Sequence, residues 1–426
     1  MTRYEELQVY VELDGRMVFA GRAQFHRSRG ALTSTTFQYE QDYLAHPRAY
    51  PVDPTLELVS GTQHTTGLPG AFSDSAPDRW GRNLIKKRER ALAREESRRS
   101  NSLDDVDFLV GVSDVTRQGA LRFRGGESSE FLDPAHSVPK LVSLPQLLHA
   151  ADTAARDTSD DDFSAVKTLL AAGTASLGGA RPKAAVLDAD GRQLIAKFPH
   201  HADSWNVMAW EATALDLAEA AGVRVADHRL ERTGDRHVLL LDRFDRTTSR
   251  RSAASDNAVR IGYMSAMTLL GYRDGDSGDY ADIAEQLGEV SAHAKEDAHQ
   301  LFRRVAVSIG LNNTDDHLRN HGFLRGRGGW VLSPAFDVNP NPDPDVRQTT
   351  IAGADTPADE AEGLLELARL CRLSPDEARA VVAHVADVLS EWRAVAAGNG
   401  IPASERERFN DSFASGLEAL RSLNRS

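Results

Sequence analysis

Apolar and polar residues alternate from the start of the chain. ELQVYVEL (6–13) and MVFAGRAQF (17–25) carry hydrophobic side chains at about every second position, the period of a half-buried strand. A proline-bearing stretch follows, then a helical pattern from Arg79 to Arg99 and a strand-like run, GALRFRG, at 119–125. Residues 1–125 therefore read as a small α+β domain. Residues 126–165 are polar and hold Asp152, Asp157, Asp160, Asp161 and Asp162 around a helical patch from Ser143 to Ala155, which is the composition of a solvated linker. From 166 to 245 the order is loop, strand, strand, helix, strand, strand. The loop is AGTASLGGARPK, the strands are KAAVLD, QLIAKF, ADHRLERT and RHVLLLDRF, and the helix is Ser204–Ala221. Beyond 246 the period lengthens to that of amphipathic helices, around 261–271, 278–311, 357–371, 375–396 and 404–423. The pattern contains no internal repeat and no low-complexity tract.

Composition narrows the classes. A chain of 426 residues is too long for one ordinary core. The single cysteine, Cys371, excludes an internal disulfide framework and a cysteine-based zinc site, and it sits in the apolar run LLELARLCRL as a small buried residue. The N-terminus has no basic segment followed by an apolar run, and no stretch approaches a membrane span, so a cytoplasmic protein with no membrane partner is expected. A net charge of −13 argues against nucleic-acid binding by the chain as a whole. The exception is local: nine basic residues against three acidic ones between Arg79 and Arg99. They form either a solvated helix face or a surface for phosphates.

The most informative spacing lies at 312–323, NNTDDHLRNHGF. Asp315 and Asn320 are five positions apart, and Asp337 in SPAFDVNP lies seventeen residues beyond Asn320. Magnesium-dependent phosphoryl transfer needs a carboxylate to orient the attacking hydroxyl and take its proton. It also needs an amide and a second carboxylate to hold the metal on the phosphates. Glycines at 322, 326, 328 and 329 around two short apolar runs predict a hairpin that returns Asp337 to Asn320. Alone the spacing is also that of a turn with Asx caps. His317 and His321, four apart, would otherwise suggest a metal hydrolase, but no third distant ligand stands out.

Further parts follow in phosphotransferase order. Gly173, Gly178 and Gly179 bracket Ser176 before a strand, where backbone N–H groups can approach phosphate oxygens. Lys197 ends an apolar strand, Glu211 on the next helix is its candidate partner, and Lys183 is a second phosphate contact; the alternative for Lys197 is a strand-end lysine that snorkels to water. LLLDRFDR (239–246), with Asp242, Arg243 and Phe244, joins the β half to the helical half where a nucleotide hinge would lie, or else is a strand end with a surface salt bridge. The whole predicts an α+β, two-lobed protein-kinase-like fold, with a β-rich N-lobe at 166–245 and a helical C-lobe at 246–426, preceded by the small N-terminal domain.

SLGGARPKA (176–184), IAKFP (195–199), LDRFDR (241–246), NTDDHLRN (313–320) and SPAFDV (333–338) closely resemble the HipA family of bacterial serine/threonine kinases, the toxins of HipBA-type toxin–antitoxin systems. GLPGAFSDSAPDRWGRNLI (67–85) is similar to a segment of that family's N-terminal domain. The resemblance implies Asp315 as catalytic base, Asn320 and Asp337 as Mg2+ ligands, Lys197 as the ATP lysine and Gly178, Gly179, Ala180 through Lys183 as the phosphate loop. Glu211, Asp242, Arg243, Phe244 and His317 complete the implied nucleotide site. It implies autophosphorylation at Ser176, which would switch the enzyme off because a phosphate carries about −1.5 to −2 charges. It further implies a HipB-like helix-turn-helix antitoxin that brings the protein to operator DNA, and a translation protein such as an aminoacyl-tRNA synthetase as substrate. Asn-Asn-Thr before Asp315 and Val338 after Asp337 depart from eukaryotic protein kinases, and Asp-x-His-x-x-Asn is also close to lipid-kinase loops. Two other readings stay open: a non-catalytic corepressor acting with the antitoxin, and a small-molecule kinase.

Overall fold

The computed structural model describes residues 3–126, 128, 130–132, 138–156, 162–173, 181–247, 258–343, 345–356 and 359–423. The chain divides into two compact units, 1–202 with 232–264, and 203–231 with 265–426.

The first unit begins with an antiparallel sheet of β1 (Glu6–Leu13), β2 (Arg16–Ser28), β3 (Ala31–Tyr39), β4 (Thr62–Thr66) and β5 (Leu121–Gly125), in the order β4-β3-β2-β1-β5. The alternation of β1 is literal: Leu7, Val9, Val11 and Leu13 are buried while the intervening residues are not. A second sheet contains β6 (Lys183–Leu187), β7 (Gln193–Lys197) and, after β8 (His228–Thr233) in the chain, β9 (Arg236–Asp242), with β7 central between β6 and β9. One face of this sheet, with Ala184, Val186, Leu194, Ala196, Val238 and Leu240, packs on the basic helix Arg79–Glu95 and the helices Leu144–Ala155 and Asp162–Ala171. The basic helix thus spends Trp80, Leu84 and Ile85 on the core. Three of its cations are tied internally: Arg82 to Asp105 at 2.8 Å, Lys87 to the Ala154 carbonyl at 2.7 Å, and, just beyond the helix, Arg98 to the buried Glu89 at 2.6 Å.

The second unit is helical. The helix Val207–Ala220, which the sequence pattern groups with the strands, belongs here because it is apolar on nearly every side. Trp210 stacks on Phe409 with centroids 3.8 Å apart, and Trp392 stacks on Phe413 at 4.3 Å, so the C-terminal helices close this core. The single helix expected over 278–311 is two, Tyr280–Val290 and Ala294–Gly310. The break occurs where the Ala292 N–H pairs with the Trp330 carbonyl at 2.9 Å and Ser291 Oγ accepts from the His293 N–H at 2.9 Å, both in place of helical bonds. The segment 261–271 is helical only over Ala266–Leu269, capped by the Ser265 hydroxyl on the Thr268 N–H. Cys371 is buried in this unit, and burial pushes its thiol up to about 12. Among the described residues no helix is long and apolar enough to cross a membrane.

Candidate active site

The helix Ala294–Gly310 delivers the chain to Asn312, which takes the left-handed conformation (φ 52°) and turns it sharply. The loop that follows alternates outward and inward: Asp315 is exposed and Asp316 buried, and a short 3-10 turn, Leu318–Asn320, buries Asn320. The predicted hairpin is present, Gly322–Arg325 against Trp330–Leu332, with Phe323 opposite Leu332 and Arg325 opposite Trp330. It returns the chain to the loop it left. The Asn339 N–H donates to Asn313 Oδ1 at 3.3 Å, Asn341 Nδ2 to Thr314 Oγ1 at 2.9 Å, and Asn312 Nδ2 to the Asn341 carbonyl at 2.8 Å. Asp337 is therefore fixed from its C-terminal side, and Asn339 Nδ2 reaches its Oδ1 at 3.4 Å. Asp337 has φ 58°, a left-handed geometry that costs a non-glycine residue of order 1–3 kcal/mol and persists where the surroundings impose it. Asn320 Nδ2 donates to the Asp315 carbonyl at 3.4 Å, so the predicted amide folds back over the predicted base.

The electrostatics separate the two adjacent aspartates. Asp315 is pushed above the usual carboxylate range by partial burial and by the charges of Asp337, Asp316 and Asp345, against which His317 acts. Asp316 is fully buried, which alone would raise it. His321, 3.0 Å from Oδ1, the Tyr280 hydroxyl, 2.5 Å from Oδ2, and the nearby Arg347 together hold it below the usual range. Arg347 is itself buried, its guanidinium on Glu360 at 2.5 Å and on the Asn313 carbonyl at 3.0 Å. The carboxylates gathered around Asp315 repel one another, which is a place for a cation to bind. Among the described residues no three His, Cys, Asp or Glu side chains form a cage, so protein ligands alone would not complete a metal shell. An amide and a carboxylate with open positions fit magnesium, which is completed by water and phosphate oxygens.

In the first unit, Lys197 and Lys183 lie directly opposite one another across β7 and β6, 7% and 2% exposed. Two buried like charges on one face need a counter-ion. Asp78 supplies it to Lys183 at 2.8 Å, while its other oxygen caps the basic helix by accepting from the Gly81 N–H at 2.7 Å. Lys183, the second expected phosphate contact, is thus ion-paired with Asp78 and almost fully buried. The LDRFDR segment, the expected hinge, has internal partners for Asp242 and Arg243. Asp242 pairs with Arg192 at 3.0 Å. Arg243 is buried, bidentate on Asp245 at 2.9 and 2.7 Å and bonded to the Thr116 carbonyl at 2.7 Å, while Asp245 also accepts from the Gly119 N–H at 2.8 Å. Arg243 thereby ties the chain just after β9 to the segment before β5. Glu211 is buried in the second unit, 1% exposed. His317 precedes the 3-10 turn, and its Nδ1 is buried without a partner among the described residues. Ser176, Gly178, Gly179 and Ala180, and the acidic positions 157, 160 and 161 of the linker, lie outside the described residues.

Three residues in contact with the loop had no spacing signal: Tyr280 and Arg347, which bond to Asp316 and to the Asn313 carbonyl, and Gln348, whose Nε2 donates to Asp315 Oδ1 at 2.8 Å.

The chain matches the family model described as HipA-like C-terminal domain over residues 175–392 and that described as HipA N-terminal domain over 17–123. No curated protein matches it. Among solved structures it is similar to HipA of Shewanella oneidensis, determined with HipB and its operator DNA, at 14% identity and TM-score 0.65, with 99% of each chain covered. It also aligns with the Helicobacter pylori proinflammatory kinase CtkA at 14% identity and TM-score 0.36, covering 57% of this chain and 94% of that one. A choline/ethanolamine kinase family protein from Mesorhizobium loti aligns at 18% identity and TM-score 0.20, covering 58% and 91%.

Proposed function

We propose, from the premise that the chain belongs to the HipA family, that it is an ATP- and magnesium-dependent serine/threonine protein kinase and the toxin of a toxin–antitoxin pair. The observation that carries this is the catalytic loop, on which Asp315 projects outward with Asn320 and Asp337 knitted to the same backbone. In this reading Asp315 orients the acceptor hydroxyl and takes its proton. Its raised carboxyl makes it a better base than an ordinary aspartate. Asn320 and Asp337 would hold magnesium, which when bound neutralises charge on the transferred phosphoryl group. Lys197 would contact the nucleotide phosphates, and Ser176 would accept phosphate and so switch the enzyme off. The solved relative with HipB and operator DNA supports a helix-turn-helix antitoxin as the neutralising partner. A translation protein such as an aminoacyl-tRNA synthetase is the proposed target, in the cytoplasm.

The test is intact and peptide mass spectrometry after incubation with Mg-ATP, with Asp315→Asn as control. One phosphoryl group on Ser176, absent from the control, is expected. Phosphate on neither protein would overturn autophosphorylation at Ser176 and favour a small-molecule kinase, an activity that needs a partner, or a corepressor.

A further inference from the structure

The segment following the Asp337 turn does more than close the loop. Its burial alternates, Arg347 in, Gln348 out, Thr349 in, and each inward residue is anchored. Arg347 is fixed by Glu360, Ser308 and the Asn313 carbonyl. Thr349 and Thr350 form a short parallel pairing with Gly278 and Asp279. Between these anchors the Gln348 N–H donates to the Thr314 carbonyl at 3.1 Å, so the backbone of an exposed residue is tied to the catalytic loop one position before Asp315. An exposed glutamine would ordinarily lose more side-chain entropy than one hydrogen bond returns. Here the main chain is already fixed, and only the side chain has to be ordered.

From this geometry we infer that Gln348 is a positioning residue for the phosphoryl acceptor step: its Nε2–H holds Asp315 Oδ1 and turns Oδ2 toward the acceptor hydroxyl. The inference rests on the proposed role of Asp315. The 2.8 Å bond occupies Oδ1, and among the described residues Oδ2 has no hydrogen-bond partner. A carboxylate free to rotate presents either oxygen at any angle, whereas a general base must meet its proton at hydrogen-bond distance and alignment. A carboxamide can do this because it donates without adding charge. A glutamate in its place would present an acceptor to an acceptor and repel it.

The test compares Gln348→Ala and Gln348→Glu with the full-length wild type, reading initial ADP release and phosphate incorporation across a range of ATP concentrations. Gln348→Ala is expected to lower kcat by about tenfold, the loss of one aligned hydrogen bond, with KM for ATP unchanged. Gln348→Glu, of nearly the same shape, is expected to lose more. A merely structural residue would move the unfolding midpoint, which should not change in either variant. A second readout needs no turnover: in protein labelled with 15N-glutamine, the Gln348 side-chain amide, assigned by its loss in Gln348→Glu, should shift in Asp315→Ala. Unchanged kcat in both variants while Asp315→Asn is inactive would overturn the inference and leave the kinase reading intact, as would an amide that ignores Asp315→Ala. A wild type with no turnover would sink both.

Discussion

Tyr280→Phe removes a single oxygen from beneath the catalytic loop, and its cost can be worked from the geometry. The hydroxyl donates at 2.5 Å to Asp316 Oδ2, and Asp316 is fully buried and ionised. Burial and the neighbouring charge of Asp316 hold the Tyr280 phenol well above its usual range, so it remains a proton donor throughout. Hydrogen bonds to charged groups contribute about 1.5–3 kcal/mol. The phenyl ring fills the same space, so no cavity adds to the loss. Oδ2 would be left with the Ser308 hydroxyl at 3.5 Å, too long to compensate. The expected outcome is a loss of about 1.5–3 kcal/mol at pH 7. Asp316 has its carboxyl depressed in the folded state. Its contribution is therefore complete above the unfolded carboxyl value of about 3.9 and is lost as pH falls through the lower, folded value. The deficit of Tyr280→Phe should accordingly shrink in acid. Four of the five tryptophans, Trp205, Trp210, Trp330 and Trp392, lie in the second unit, so urea unfolding followed by tryptophan emission reports the unit concerned. A loss below about 0.5 kcal/mol, within the range of ordinary surface changes, would refute the claim that this bond anchors the loop.

Asp315→Asn and Asp337→Asn are both expected to abolish phosphotransfer while leaving the unfolding midpoint in place, since Asp315 is exposed and asparagine tolerates the left-handed backbone at 337; radiolabelled ATP transfer and urea unfolding check the two halves of the claim. Lys183→Met leaves Asp78 buried without its ammonium and should cost about 3–5 kcal/mol by denaturant unfolding, whereas adding Asp78→Asn to it should recover part of the loss. His228 is drawn down by burial but raised further by its 3.1 Å contact with Asp216 and by its bond to the Ala226 carbonyl, so its net shift is upward. A raised histidine contributes fully below its unfolded value of about 6.5 and loses that contribution as pH rises through the folded one. The second unit should therefore weaken from neutral to alkaline pH, and His228→Gln should flatten that slope in thermal melts followed by tryptophan emission.

What could be read along the chain was what lies close along the chain. The hairpin between Asn320 and Asp337 follows from glycine placement and two apolar runs, and its eleven-residue span contains the strand pairing itself. The strand at 6–13 declares itself by its alternation, whereas 183–187, buried at four consecutive positions, reads only as a short apolar run. The Lys183 ion pair left no mark in the sequence because its counter-ion, Asp78, lies 105 positions upstream, where it reads only as a helix cap. The tie between LDRFDR and the N-terminal sheet was equally illegible, because Arg243 and Asp245 are neighbours but their third partner, the Thr116 carbonyl, is 127 positions away. Gln348 gave no signal because an exposed glutamine after a run of asparagine and proline has the composition of any loop. Its placement depends on a parallel pairing between 278–279 and 349–350 that no periodicity announces.

Adjacent aspartates with opposite fates explain how such a loop can be both rigid and reactive. A general base must be basic and accessible, and a strongly held carboxylate is neither. The chain divides these demands between neighbouring positions. Asp316 points inward, where Tyr280 and His321 hold it ionised and fix the backbone. Asp315 points outward, and the same fixed backbone sets it among carboxylates that raise it. Asp316 also contributes to that rise through its own charge, so in the proposed mechanism the anchor tunes Asp315 as well as holding it. Tyr280→Phe leaves the Asp316 charge in place and loosens only its support, whereas Asp316→Asn removes the charge as well. Comparing the two variants separates the mechanical part of this coupling from the electrostatic part, and Asp316→Asn alone should make Asp315 a weaker base.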